Sequence, residues 1–332
     1  MATIKEIALE TGFSPSTVSI VLRGKAEDRN ISEKTKTKIL DAAKRMDYRV
    51  NIAARRLRAN QGVTVVLSVF MALDRRANMM THFLLELQRL STLNDPVFDI
   101  TIHSYESGSL HLYADTIALT HMAIICNASD EDVNFLNRSQ FSIPIVLFLR
   151  KSKKYCTVGI SHRLIGSMVA DIFARRGHKH AVILGTKAYF IGMTHTENEF
   201  TETAKRNGLA TTLLRQADTM PGGHNGGMEI CKMRPLPDCV FVVSTSMAIG
   251  ALRAFSENGV KIPQQVELIC VGTVNPEIAE YANPSLSAVQ LPIDLMAKEC
   301  VRLLFLQLSG KLDAPHGVEI PFSYMVRDSC GG

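Results

Sequence analysis

The chain has 332 residues, 46% of them hydrophobic, and a formal net charge of +5. That is enough apolar chain for a large core and two or three domains, while the longest apolar runs, Val63 to Leu73 and Ile143 to Leu149, fall well short of the roughly 18 residues a membrane span needs. Residues 1–60 hold 13 Lys and Arg against 7 Asp and Glu, and the remaining 272 hold 24 against 25, so the basic excess is N-terminal and points to a polyanion-binding head on a near-neutral body, or else to a merely solvated basic surface.

In chain order, Ile4, Ile7, Ala8 and Thr11 recur at helical spacing, and Gly12 stops this first helix. Ser14 is placed to cap a second helix with Pro15 at its first position. Along it Val18, Val21 and Leu22 form the inward stripe, which leaves Ser16, Thr17, Ser19, Ile20 and Arg23 on the outside or its edge. Ser32 caps a third helix whose Ile39, Leu40, Ala43 and Met46 complete the core. The three predict a helix-turn-helix unit. No charged-then-apolar signal pattern precedes them, which predicts a cytoplasmic protein with no membrane association.

On these residues the chain resembles the lactose/galactose repressor (LacI/GalR) family. "MATIKEIALETGFSPSTVSIVL" is similar to that family's opening helix-turn-helix, "TKTKILDAAKRMDYRVN" to its third helix and "NIAARRLRANQ" to the hinge that follows. "VQLPIDLMAKECVRLLF" and "IPFSYMVRDSC" resemble its C-terminal signatures. The resemblance spans essentially the whole chain and is loosest from about Ala72 to Phe148. It implies an α/β protein: a three-helix helix-turn-helix DNA-binding domain at 1–50, a hinge helix and linker at 51–61, and a two-lobed, periplasmic-binding-protein-like, doubly wound body at 62–332 that binds an effector and dimerises.

The hinge makes physical sense. Asn51 to Ala59 has helical spacing and three arginines but no partner face of its own. A helix of about nine residues is marginal in water, so it is expected to form on docking. The resemblance implies that two such helices from a dimer pair in the DNA minor groove, with Leu57 levering open a base step and Asn51, Ala54, Arg55 and Arg58 beside it. A linker leucine packed on the core is the plain alternative for Leu57.

The resemblance further places Pro15, Ser16 and Ile20 where bases are read in the major groove, with Thr3, Thr17, Ser19 and Arg23 on phosphates or adjacent edges. Many relatives carry arginine or histidine at the position of Ile20. Isoleucine cannot bond guanine in bidentate fashion but can meet a thymine methyl, so the preferred site should differ at that base pair. The loop "RGKAEDRNIS" is a few residues longer than in those repressors; its Lys25 and Arg29 either meet phosphates or are solvated.

From Gly62 onward β-rich runs alternate with helical stretches. "VTVVLSVF", "DITIHS", "MAIIC", "IPIVLFL", "HAVILG", "CVFVVS" and "VELICVG" read as buried parallel strands, with helices such as Leu164 to Arg176 and Ala248 to Asn258 between them. This predicts a doubly wound α/β body. By resemblance it forms one lobe from about 62–160 and 292–321 and another from about 163–289 and 323–330, with crossings near Ile160 to Arg163, Val289 to Pro292 and Pro321 to Ser323. Ligands in such sheets bind at the carboxyl ends of the strands.

Here the chain departs from sugar-binding relatives. Where they hold hydroxyls with charged and amide groups, it has Thr196 for an arginine, Thr245 for an aspartate, Val274 for an aspartate beside Asn275, Leu291 for a glutamine and Arg150 for an aspartate. Phe70 and Ile160 complete the candidate effector set. A neutral sugar would leave buried hydroxyls poorly paired, at about 1–3 kcal/mol each. Two readings stand: an effector of different chemistry, anionic through Arg150 or less polar, or a pocket that no longer senses anything. Lys151, Lys153 and Lys154 read more simply as a solvated basic loop.

Lesser features carry no chemistry. "PGGHNGG", Pro221 to Gly227, lacks the lysine and Ser/Thr of a phosphate loop and reads as a flexible surface loop. Ser161 and His162, at a lobe crossing, have no aspartate placed to make a catalytic pair and read as lining or hinge residues. The seven cysteines lack CxxC or Cys/His ligand spacing and read as reduced, buried thiols, without zinc or a disulfide framework. The expectation is therefore a transcriptional regulator, most simply a repressor, that has no cofactor, no metal and no enzymatic activity. Its partners are a pseudo-palindromic double-stranded operator, a small-molecule effector and a second copy of itself. The end at "VRDSC" plus two glycines, without a leucine-heptad tail, predicts a dimer. The rivals are a constitutive DNA binder with a degenerate pocket and a ligand-binding protein without DNA function.

Overall fold

The computed structural model describes residues 4–22, 31–46, 65–73, 77–94, 96–187, 191–272 and 276–331. The site expectations for Thr3, Arg23, Lys25, Arg29, Asn51, Ala54, Arg55, Leu57, Arg58, Val274 and Asn275 lie outside the described residues.

Three short helices open the chain: α1 (Ile4–Thr11), α2 (Pro15–Leu22) and α3 (Glu33–Arg45). Gly12 takes φ +73°, the left-handed conformation that ends a helix without a Cβ penalty. Ser14 Oγ accepts from the backbone N of Thr17 at 3.1 Å, and Ser32 Oγ from that of Thr35 at 3.3 Å. Both serines thus act as the N-caps their position predicts. Ile7, Ala8, Val18, Val21, Ile39, Ala42 and Ala43 make a small closed core. One expected member is displaced: Leu40 is 43% exposed, because the inward stripe of α3 runs through Ile39, Ala42 and Ala43.

The body is two parallel-stranded layers. The first is built by β1 (Val65–Ala72), α4 (Ala77–Leu93), β2 (Phe98–Tyr105), α5 (Ala114–Leu119), β3 (Met122–Cys126), α6 (Asp130–Arg138), β4 (Ile145–Phe148) and β5 (Cys156–Gly159). The second follows with α7 (His162–Arg175), β6 (His180–Thr186), α8 (Ile191–Arg206), β7 (Ala210–Gln216), α9 (Met220–Cys231), β8 (Cys239–Val242), α10 (Thr245–Glu257), β9 (Glu267–Val271), α11 (Pro276–Glu280) and β10 (Ser287–Gln290). The chain then returns through α12 (Ile293–Leu308) and β11 (Gly317–Glu319) before ending on β12 (Ser323–Met325).

The strand orders are β11-β5-β4-β3-β1-β2 and β12-β10-β9-β8-β6-β7. All pairings are parallel except β12 against β10. Each sheet therefore has a switch point, between β1 and β3 in one and between β6 and β8 in the other, the position where a doubly wound sheet opens a crevice at its carboxyl edge. The chain passes between the sheets after β5, after β10 and after β11, and the first and last passages run side by side, with Ile320 N donating to Gly159 O at 2.8 Å. The near-continuous apolar runs of β3, β4 and β8 are buried over their whole length, as strands covered on both faces must be.

The segment expected to be a flexible loop, Pro221 to Gly227, lies inside α9. Thr219 Oγ1 caps it at Gly222 N, 3.0 Å away. Gly223 and Gly227 face α10: a Cβ on Gly223 would strike the backbone of Met247, and one on Gly250 of α10 the backbone of Met220 and His224. Glycine is there because the two helices touch backbone to backbone, a packing reason that overrides its poor helix propensity. All seven cysteines are free and buried. Among the described residues no helix is long and apolar enough to cross a membrane.

Candidate nucleic-acid interface and effector cleft

In the head, α2 turns part of its surface to solvent. Pro15 and Ser16 are exposed, Thr17 and Ile20 partly so, and Val18 and Val21 are buried in the core. Thr17 Oγ1 shares a 2.9 Å hydrogen bond with Ser14 Oγ, so part of its hydroxyl capacity is used within the cap. The helix is held against the other two by an apolar core, the ion pair of Arg45 with Glu10 (3.6 Å) tying α3 to α1. A small rigid unit with one helix turned outward is the arrangement that can lay that helix in a major groove.

In a doubly wound body a ligand cleft is expected at the carboxyl edges of the strands, where the chain passes from one sheet to the other. On the first sheet, Asn127 (φ +56°) and Leu149 (φ +58°) both adopt the left-handed conformation, uncommon for residues with a Cβ. Asn127 Nδ2 donates to Ala72 O at 3.2 Å, linking the ends of β3 and β1 across the switch point. Leu149 turns the chain out of β4 into Arg150, whose Nη2 donates to Oδ1 of Asp130 at the start of α6. Arg150 thus has a carboxylate partner from its own lobe. The neighbouring cations are engaged as well, Lys151 with Glu319 at 3.4 Å and Lys154 with the Ser139 carbonyl.

The second sheet contributes His162, Thr196 and Thr245. Ser161 Oγ caps α7 at Leu164 N, 3.4 Å away, which puts His162 on the first turn facing α8. Thr196 is buried and its Oγ1 is 3.2 Å from both the His162 and Gly192 carbonyls and 3.3 Å from His162 Nδ1. Its hydroxyl is thus occupied inside the lobe. A Cβ on Gly192 would overlap the imidazole, so the glycine makes the histidine's space. Burial, reinforced by the nearby His195 and Lys151 charges and opposed by Glu319, pushes His162 down to about 4. It is therefore neutral at pH 7.

One residue further along α8, the buried Glu197 meets Arg215 Nη2 at 2.7 Å across the end of β7. Burial raises its carboxyl above the ordinary value despite that arginine. Thr245 begins α10, beside Ser244, whose Oγ caps the helix at Met247 N (3.2 Å) and donates to Asp218 Oδ1 (2.5 Å). Thr245 Oγ1 is buried with no hydrogen-bond partner, its polar neighbour being the Cys270 thiol.

The remaining candidates divide. Leu291 stands at the second passage, partly buried and about 4 Å from where a Cβ on Gly272 would be. Ile160 is 5% exposed and belongs to the core at the first passage. Phe70 is fully buried in the other face of the first sheet, stacked on His103 (4.7 Å between centroids) with Tyr113 at its edge, so as placed it packs rather than faces a ligand. Sequence reasoning missed Asp130, Asn127 and Glu197. Their role depends on which loops the strand order brings together, and no local pattern reports that.

Two family models match the chain: bacterial regulatory proteins, lacI family, over residues 3–51, and a periplasmic binding protein-like domain over 170–330. The chain is 25% identical over 333 residues to the HTH-type transcriptional regulator AscG of Escherichia coli (strain K12), covering 95% of each. Among solved structures it is similar to a LacI family transcription regulator from Clostridium acetobutylicum, with TM-score 0.76, 24% identity, and coverage of 80% of this chain and 100% of that one. It is also similar to the lac repressor dimer bound to operator and the anti-inducer ONPF, with TM-score 0.69, 17% identity, and coverage of 99% and 98%.

Proposed function

We propose that the chain is a regulator of the lacI type and acts as a dimeric repressor: residues 1–60 grip operator DNA, and a small molecule in the interlobe cleft sets the grip. The observation that carries this is the pairing of an ordered helix-turn-helix head, matched by the family model at 3–51, with a body of two sheets whose carboxyl edges flank three chain passages. DNA binding and transcriptional regulation are the family's activity; neither acid/base nor nucleophilic catalysis is invoked, and the protein is read as a cytoplasmic regulator rather than an enzyme. The exposed apolar side chains of Tyr281, Met325 and Val326 on the second lobe, and of Leu112 and Leu119 on the first, offer surface for a second copy.

For the effector, the geometry supports a compact, weakly polar ligand. Arg150 and Thr196 are already engaged, and the Thr245 hydroxyl is buried beside the Cys270 thiol, which leaves apolar groups such as Leu291 to meet it. The Pro15, Ser16 and Ile20 face and the hinge residues Asn51, Ala54, Arg55, Leu57 and Arg58 would supply the DNA contacts, with Thr3, Thr17, Ser19 and Arg23 on the backbone.

The test is retardation of a duplex library by the full chain at increasing salt. Affinity is expected to fall steeply as counterions are released. Equal retardation by residues 62–332 alone would overturn the assignment of the head.

A further inference from the structure

Strands β9, β8, β6 and β7 are parallel neighbours in that order, so the segments that enter them lie together along one edge of the second sheet, opposite its carboxyl edge. Helices α7 to α10 end at this edge. Arg175, Lys179, Lys205, Lys232 and Lys261 stand on it, all exposed and without an ion-pair partner among the described residues. The acids of the entering segments are turned inward. Asp238 accepts from the backbone N of Lys179 (2.6 Å) and of His180 (2.9 Å), and Glu267 is taken by Arg176 and His178. Glu257, the last residue of α10, pairs with His224 and Arg253. The edge therefore shows cations outward and keeps its anions for the fold.

Cations at helix ends answer the negative end of the helix dipole. Arg234 does so directly, Nη1 donating to the Cys231 and Met233 carbonyls at 2.9 and 2.7 Å. Lys179 and Lys261 stand beyond the ends of α7 and α10, so that reason does not cover them. Between the segments entering β8 and β9 the same edge opens a cleft of about 370 Å³, lined by apolar Leu236, Val260 and Cys231 and by polar Arg234 and Gln265. This is at the small end of ligand-sized clefts. Lys232 follows Cys231 in the chain and Lys261 follows Val260.

Charges spread over four strands cover three inter-strand spacings, roughly 14 Å, the length of about four residues of extended chain. Such a strip suits a polymer rather than a small molecule. A nucleic-acid duplex answers the charges but has no apolar side chain to place in the cleft.

We propose that this edge docks an acidic peptide segment of another protein, with carboxylates on Lys179, Lys232 and Lys261 and one apolar side chain seated in the cleft beside them. The desolvated anchor supplies affinity, and the exposed charges steer the encounter. The site is separate from the head and from the effector cleft, so its test does not depend on either.

The experiment measures fluorescence anisotropy of two labelled nonapeptides with the full chain: eight glutamates around a central leucine, and the same peptide with glycine at the centre. The leucine peptide is expected to bind about tenfold tighter, the factor for burying one such side chain, and both are expected to weaken with salt. The combined variant Lys179→Glu, Lys232→Glu and Lys261→Glu lies wholly on the surface. It should lose at least about tenfold in affinity for both peptides while retaining duplex DNA as the unmodified chain does. Leu236→Ser should erase the leucine preference and keep the charge-driven part; Val260→Ser serves the same purpose if the melting curve of Leu236→Ser shows a fold defect. Equal affinity for the two peptides overturns the proposal. So does undiminished peptide binding by the charge-reversed variant, which would place the peptides on the basic head. Loss of duplex retention in that variant would make the edge a nucleic-acid surface and overturn it as well.

Discussion

Arg150 and Asp130 form an ion pair between the loop after β4 and the first residue of α6, with Arg150 Nη2 on Asp130 Oδ1. The arginine side chain is 15% exposed and the aspartate 60%. The pair therefore neutralises the cation without burying both charges, and Asp130 sits where a helix N-terminus favours an anion. A half-screened pair of this kind contributes about 1 kcal/mol or less. A double-mutant cycle of Arg150→Ala and Asp130→Asn, read by urea denaturation, is expected to give a coupling no larger than that. Carboxylated and phosphorylated metabolites are expected to raise the melting temperature no more than neutral sugars do. An acid-selective shift that disappears in Arg150→Ala would restore an anion site at this position.

The contact between α9 and α10 leads to a second prediction. Gly223 and Gly250 each face backbone of the opposite helix, so an added methyl has no flexible side chain to displace. Gly223→Ala and Gly250→Ala are each expected to cost about 1–3 kcal/mol by overpacking, against the small helix-propensity gain of alanine. Because both lie in one interface their effects should not add. Gly159→Ala, where nothing lies within 4 Å of the new methyl, is the control and should change little. Urea midpoints at unchanged slope measure all three.

The head and the strands were legible because their signals are local. Caps at Ser14 and Ser32, a stop at Gly12 and continuous apolar runs such as "MAIIC" each declare themselves within a few residues. The glycines of α9 were misread because glycine marks a loop by propensity and a helix contact only through the partner helix, here α10. Edge elements such as β7, with its alternating exposure, and the three-residue β11 and β12 lack any run long enough to show. The cleft was half legible. Replacement of expected acids by Thr196, Thr245 and Leu291 can be read along the chain, but the carboxylate that answers Arg150 comes from 20 residues away, and only the order of β3 and β4 brings it there.

Stability should fall in two separate pH windows. His162 has its value lowered from 6.5 to about 4, chiefly by burial, so the unfolded chain takes up a proton that the folded chain refuses. The folded state is therefore penalised progressively as pH drops from about 6.5 towards 4. Glu267 behaves differently. Burial alone would raise its carboxyl, but Arg176 (2.5 and 2.6 Å), His178 (2.8 Å) and Cys330 (3.2 Å) hold it below the ordinary 4.5. Its contribution is full above that value and is lost as pH falls through the depressed one. Melting temperature against pH is expected to lose its slope between 6.5 and 4 in His162→Gln. In Glu267→Gln the slope should change only below about 4.5, on top of a uniform loss from the broken arginine pair. A His162→Gln profile parallel to that of the unmodified chain would show the imidazole to be solvated and charged.

The last prediction concerns Leu57, which separates deformation from charge. On the family reading, the segment from Asn51 to Ala59 is an isolated stretch too short to be stably helical in water, so its folding must be driven by docking. An apolar wedge contributes only where a base step is opened, at specific sites, whereas Arg55, Arg56 and Arg58 act on any phosphate backbone. Leu57→Ala is therefore expected to lower specific affinity and the DNA bend angle together while leaving non-specific affinity and its salt slope nearly intact. Circular-permutation gel mobility reads the bend, and competition against random duplex reads the two affinities. An unchanged bend angle with reduced specific affinity would assign Leu57 to packing within the linker instead. A parallel loss of specific and non-specific binding would show that the substitution had disturbed the charged surface rather than the wedge.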